Sequence, residues 1–301
     1  MHKSDLSRIS IYGCISTYDS FVGKGQVIID VIEEFADKIV NPLNKDLIYN
    51  LKGKSIKHRE YKYDSDDWNS TKLLLLNDRV QKIYMMHIDK DINQAIGNNP
   101  DSELARMSPN FIGLNFHTDP EKPEQASLLE FNVTILLYKG CVPEYVTNTF
   151  VRIIEELTSK INSVGGFITI DSMPIYEAFS AHERYIALNY TYASRQFDRY
   201  FRGYSWGNFL SYRHVELLGG IEYIEKEAPV YLVKRLPYGG AFLQLTENIN
   251  NVSDDDLRKL KKFFLPILPK AIFRLSPSES TFRRMIIDDD DKENFLPTKE
   301  T

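Results

Sequence analysis

Two histidine–carboxylate pairs stand out first: His87-x-Asp89 and His117-x-Asp119. Residues two apart on a strand share one face, so each pair projects an imidazole beside a carboxylate. Two such strands side by side would assemble the ligand set of a metal-dependent hydrolase or nuclease. Both pairs stand where an apolar run gives way to polar sequence, and pairs like these arise readily by chance, so the expectation is no metal. His182-Glu183 lacks the second histidine of an H-E-x-x-H helix. Ser205, in Gly203-Tyr-Ser-Trp-Gly207, resembles a nucleophile elbow only superficially. The elbow needs a buried strand before it, and 196–202 is charged. Gly23-Lys24-Gly25 precedes a helix, but the rest of a phosphate loop is missing and a glycine turn suffices. No catalytic residue and no cofactor is expected, and the chain is expected not to be an enzyme.

Recognition chemistry is the stronger signal. Segment 184–212 is dense in aromatic rings with arginines between them. Tyrosine, tryptophan and arginine concentrate binding energy at protein interfaces. The expected partner-binding residues are Tyr192, Arg195, Arg199, Tyr200, Arg202 and Tyr204. The same mixture could stack single-stranded nucleic acid. A net charge of -5 argues against that, because phosphate neutralisation needs clustered cations. Acidic clusters at 64–67, 254–256 and 288–291 would suit a basic protein partner if they gathered in space.

These side chains need a frame. Segment 8–17 reads as a strand. Val27, Ile28, Val31, Ile32, Phe35 and Ile39 then fall at spacings of three and four, one apolar helix face. Strand-like runs follow at 47–51, 57–63 and 81–88, with 64–69 a turn or helix start and 89–109 a long polar loop. Segments 111–117 and 128–138 read as strands joined by an exposed linker. Pro143 starts the best helix, with Val146, Phe150, Ile153, Ile154, Leu157 and Ile161 as its buried stripe and Gly165-Gly166 as its stop. A short strand at 167–170 follows. A hairpin pairs 230–236 with 241–246 across Gly239-Gly240, which supply positive φ. Ser253 caps a last helix at 254–264, with Asp256 completing a variant capping box.

Hairpins mixed with packed helices make an α+β fold with antiparallel or mixed sheets. A duplication into two related ferredoxin-like halves is the alternative arrangement. Residues 1–275 read as one large domain, with 120–127 the one place a subdivision would fall, and 276–301 as an acidic, flexible tail. Cys14 and Cys141 stand far apart without metal or redox spacing, which fits a reducing compartment. The N-terminus lacks a signal peptide's apolar core, and no apolar run approaches the ~20 residues of a membrane span. A cytoplasmic location is expected.

Three motifs occur in order: Gly203-Tyr-Ser-Trp-Gly-Asn-Phe-Leu210, then His214-Val-Glu-Leu-Leu-Gly-Gly220, then Gly239-Gly-Ala-Phe-Leu-Gln244. A Leu-Pro-Ile-Leu-Pro run closes the set at 265–269. This ordered set resembles the type VI immunity and immunity protein 52 families, over roughly the last third of the chain before the tail. The resemblance implies a non-enzymatic protein that neutralises a cognate bacterial toxin, for example a nuclease, by stoichiometric binding. A homodimer is compatible with it. Trp206, Phe209, Leu210, Gly219, Gly220, Gly239 and Gly240 carry the resemblance and read physically as fold markers.

Overall fold

The computed structural model describes residues 6–40, 47–57, 59–63, 65–88, 111–118, 125–138, 142–171, 182–183 and 195–269. The expected loop at 89–109, the tail at 276–301, Cys141, Tyr192, Asp89 and Asp119 lie outside the described residues.

The strands are β1 (Leu6–Thr17), β2 (Ile48–Gly53), β3 (Glu60–Lys62), β4 (Val80–Ile88), β5 (Phe111–His117), β6 (Ser127–Tyr138), β7 (Ser163–Asp171), β8 (Gly207–Leu210), β9 (Leu232–Arg235) and β10 (Ala241–Gln244). They form one sheet in the order β3-β2-β4-β5-β6-β1-β7-β8-β10-β9. Every pairing is antiparallel. The fold is α+β with an open sheet. β1 pairs with β6 and β7, not with β2, β3 or β4, so the first and second halves of the chain share the centre of the sheet. A boundary near 120–127 would cut the β5–β6 hairpin, and neither half is a self-contained ferredoxin-like unit.

Three long helices cover one face. α1 (Gly25–Phe35) buries Ile28, Ile29, Val31, Ile32 and Phe35, and continues as a π-helical turn at Ala36–Val40. α2 spans Ser65–Leu76. Its buried stripe is Trp68, Thr71 and Leu75, at helical spacing but chemically mixed. That mixture is why the sequence reads there only as a turn or helix start. Tyr49 and Thr71 share a buried hydrogen bond of 2.8 Å, and the Trp68 indole donates to Glu33. α3 (Glu144–Lys160) buries Val146, Phe150, Ile153, Ile154 and Leu157, with Ile161 just past its end, as the stripe predicts.

Gly165-Gly166 does not stop α3. Ile161 is already extended, and both glycines lie inside β7. A Cβ on Gly166 would stand 2.6 Å from the Cys14 carbonyl oxygen, so close pairing of β7 with β1 requires glycine there.

β1 separates two cores. Ile11 and Ile15 face the helices, and a Cβ on Gly13 would touch Phe150 of α3. Tyr12 and Cys14 face the other way, with Phe167, Phe197 and Tyr200 over them. The C-terminal part adds α4 (Tyr212–Leu217), α5 (Ile221–Glu227) and α6 (Asp254–Phe264). α6 carries the Ser253–Asp256 capping box, as read from sequence. Gly219 and Gly220 close α4 at φ of 104° and 94°. At the hairpin tip the positive φ belongs to Tyr238 and Gly239; Gly240 is extended at φ -77°.

Candidate functional site

The residues expected to meet a partner divide by burial. Arg195 and Arg199 are exposed. Tyr200, Arg202 and Tyr204 are buried, Arg202 to 1% exposure. The Arg202 guanidinium donates from Nε and Nη2 to both Glu183 carboxylate oxygens, at 2.9 to 3.1 Å. Its Nη1 reaches Cys14 Sγ at 3.2 Å and Ser16 Oγ at 3.4 Å. The Phe197 and Phe167 rings stand 4.6 and 5.3 Å from it. Burial works against its charge, but the Glu183 carboxylate overcomes that and holds the guanidinium well above the ordinary arginine range. Tyr12 donates to Glu130 in the same layer. Burial pushes the Cys14 thiol up to about 12. This centre pins the 197–204 segment to the sheet. It corrects the expectation that Arg202, Tyr200 and Tyr204 form a contact surface: their aromatic–cation chemistry is spent inside the fold.

The two histidines of the histidine–aspartate pairs stand far apart on the β4–β5 ladder. Their backbones place His117 opposite Lys82 and His87 opposite Ile112. The histidines therefore sit five positions apart along the ladder, roughly 17 Å at ~3.4 Å per residue. That is too far for one metal ion or one acid–base pair. Ser205 leads into strand β8, not into a helix, and its backbone is clasped by Asn208, so it does not form an elbow.

Two other histidines sit in the interior. Burial pushes His182 down to about 3 and His214 down to about 4. His214 completes a capping box on α4: its backbone N–H donates to Ser211 Oγ and its Nδ1 accepts from Ser211 N–H. That leaves the proton of the neutral ring on Nε2.

Among the described residues the exposed large apolar side chains are spread over the surface, from Leu73 on α2 to Tyr231 before β9, and some of them gather at one end of the sheet. The registers bring together the end of β1, the starts of β4, β6, β7 and β10, and the β9–β10 hairpin tip. Three large side chains on this rim face solvent: Val22 at 63%, Tyr212 at 55% and Tyr238 at 56%. Tyr212 donates to Glu216 at 2.6 Å, which fixes its ring, and packs so closely on the hairpin tip that a Cβ on Gly239 would come within 2.8 Å of it. Tyr238 follows Pro237 in a left-handed conformation at φ 61°. Among the described residues the non-glycine positive φ values belong to Ser55, Asp78 and Tyr238, and all three lie in turns at this end. Left-handed backbone costs a side-chain-bearing residue roughly 1–2 kcal/mol. Strain of this kind gathers where surface shape matters more than stability. The aromatic 184–212 segment includes Tyr212, which is exposed, but not Tyr238, and aromatic density alone does not separate Tyr212 from the buried rings beside it. The usable signal was Pro237-Tyr-Gly239, a turn that points a large ring outward.

An α+β protein with an open antiparallel sheet is the class that this architecture defines. Neither protein-family profiles nor curated protein sequences gave a match to the chain. Among solved structures, it is similar to "Pseudomonas aeruginosa T6SS protein PA0821", with a TM-score of 0.54 and 9% sequence identity over 92% of this chain and 81% of that one. At that identity the likeness is one of fold. Among the described residues no helix is long and apolar enough to cross a membrane.

Proposed function

We propose that this chain is an immunity protein that neutralises a cognate toxin of a type VI secretion system by direct protein–protein binding, in the cytoplasm of the producing cell. The observation that carries the reading is the rim at one end of the sheet, where Val22, Tyr212 and Tyr238 face solvent, with Tyr212 packed against the hairpin tip and Tyr238 in a left-handed turn. Rigid exposed tyrosines present apolar area at low entropic cost and are typical anchors of protein interfaces. The fold shared with a Pseudomonas aeruginosa T6SS protein supports the setting, and the ordered Trp206 to Gly240 motifs support the immunity role. The hydrolase reading loses its geometry with the separation of His87 and His117. The nucleic-acid reading loses Arg202, which is committed to Glu183.

The test is co-expression of the chain with each toxin-like open reading frame beside its gene. Relief of toxicity together with stoichiometric co-purification is expected from one of them. Toxicity unrelieved by this chain in every pairing would refute the reading.

A further inference from the structure

Beside the same rim lies a cleft of about 170 Å³, enclosed by 18–22, the start of α1, the end of α2 and the ends of β4, β5 and β6. Its floor is apolar: Phe21, Ile28, Leu75, Val80 and Phe116 are all buried. Phe21 and Phe116 meet edge to face there, with ring centroids 5.0 Å apart at 82°. A third ring in the cleft would continue the herringbone arrangement that aromatic groups favour. The volume admits it, since a cavity of ~150 Å³ accepts benzene.

The mouth is polar and lined by hydroxyl and amide groups, those of Ser20, Thr118, Gln125 and Ser127. Its two carboxylates are engaged within the chain. Asp19 accepts from Lys24 Nζ and from Asn162 N–H, and Asp78 accepts from Gly23 N–H. Among the described residues no lysine or arginine lines the cleft. A cation would meet carboxylates that already have partners, and an anion would meet the same two carboxylates, with Lys24 already paired to Asp19. An apolar, aromatic floor under a mouth rich in hydrogen-bond acceptors matches a ring with one hydroxyl to donate.

We propose that this cleft is a binding site for a neutral, hydroxyl-bearing aromatic ring. The ring is the same chemistry whether it is a tyrosine side chain of a bound protein or a free phenolic molecule. Only the first source rests on the immunity reading; the ring site itself stands without it, so failure of either leaves the other intact.

The probe is p-cresol, titrated into the full chain and followed by amide NMR shifts. Saturable, low-millimolar binding is expected, with shifts centred on 18–28, 75–80 and 116–127. Val80→Phe fills the floor and Ser20→Trp covers the mouth from an exposed position that leaves the core untouched; each is expected to weaken binding by about tenfold or more. N-acetyl-tyrosine amide, with flanking peptide groups, distinguishes the sources. Affinity equal to or above that of p-cresol assigns the ring to a protein partner, and much weaker affinity assigns it to a free molecule. Absence of saturable p-cresol binding to the wild type, shifts mapping elsewhere, or wild-type binding by Ser20→Trp would overturn the proposal.

Discussion

At the residue scale the chain is governed by polar groups it has buried. Arg202 and Glu183 are enclosed together, so each is tolerable only because of the other. Arg202→Ala would leave Glu183 charged in the interior and is expected to cost about 3–5 kcal/mol in urea unfolding. The double change Arg202→Met, Glu183→Gln removes both charges and is expected to lie much nearer the wild type. Equal losses in the two variants would mean that packing, not charge, is what Arg202 supplies. His214 and His182 set a pH dependence whose sign follows from their depressed values. In the unfolded chain both take up a proton near pH 6.5; in the fold they resist until about 4 and about 3. Protonation between those limits favours the unfolded state. Their contribution is therefore complete above pH 6.5 and falls away as pH drops toward 4 and 3. Two protons give a slope of up to ~2.7 kcal/mol per pH unit in that window. His214→Gln keeps a hydrogen-bonding group for the capping box. It should shrink the stability difference between pH 7 and pH 5 by about half.

At the element scale, glycines mark where backbones touch. Gly25 begins α1 directly against the end of α2, and a Cβ there would lie 2.4 Å from the Leu75 carbonyl oxygen. Helix propensity alone says that Gly25→Ala should stabilise by up to ~1 kcal/mol. Packing says the opposite, because a backbone atom cannot yield as a side chain can, and overpacking costs about 1–3 kcal/mol. A lowered thermal midpoint is expected, and a raised one would show that α1 and α2 can separate without cost. The apolar stripe of α3 was legible in the sequence, and that of α1 nearly so, Ile29 being buried and Val27 only half-buried, because long aliphatic stripes have one interpretation. α2 was not, because its buried stripe is the short, mixed set Trp68, Thr71 and Leu75, secured by hydrogen bonds to Tyr49 and Glu33. The stop of α3 was misplaced at Gly165-Gly166 for a related reason. Glycine signals either a helix end or a close strand crossing, and only the partner strand decides which.

At the scale of the whole molecule, one end of the sheet carries the features expected of a contact surface. Tyr238 tests whether its strain serves binding. Tyr238→Gly relieves a left-handed side-chain-bearing position, so stability should hold or rise by up to ~1 kcal/mol. Affinity for the cognate toxin should fall by about 2 kcal/mol, roughly 30-fold, if the ring is an interface anchor. Unchanged affinity, by calorimetry or by protection in co-expression, would remove Tyr238 from the interface. The antiparallel pairing of β4 with β5 also explains why the two histidines stand apart. Each histidine sits near the C-terminal end of its strand, and because adjacent antiparallel strands run in opposite directions, His87 and His117 fall at opposite ends of the β4–β5 ladder.

By itself the sequence determined the α+β class, the two long amphipathic helices, the β5, β6 and β9–β10 strands, and the Ser253 cap of α6. These depend on short-range periodicity and local backbone chemistry, which a linear reading captures. It also drew attention to the aromatic stretch around Trp206, whose indole donates to the Thr246 carbonyl from within the core. Only the tertiary structure decided which of those rings are inside. Burial of Tyr200, Arg202 and Tyr204 depends on a sheet whose central strand, β1, lies almost two hundred residues away in sequence. Exposure of Tyr212 and Tyr238 depends on a hairpin tip packed against the start of α4. A side chain's access to solvent is a property of long-range pairing, and long-range pairing leaves no local mark.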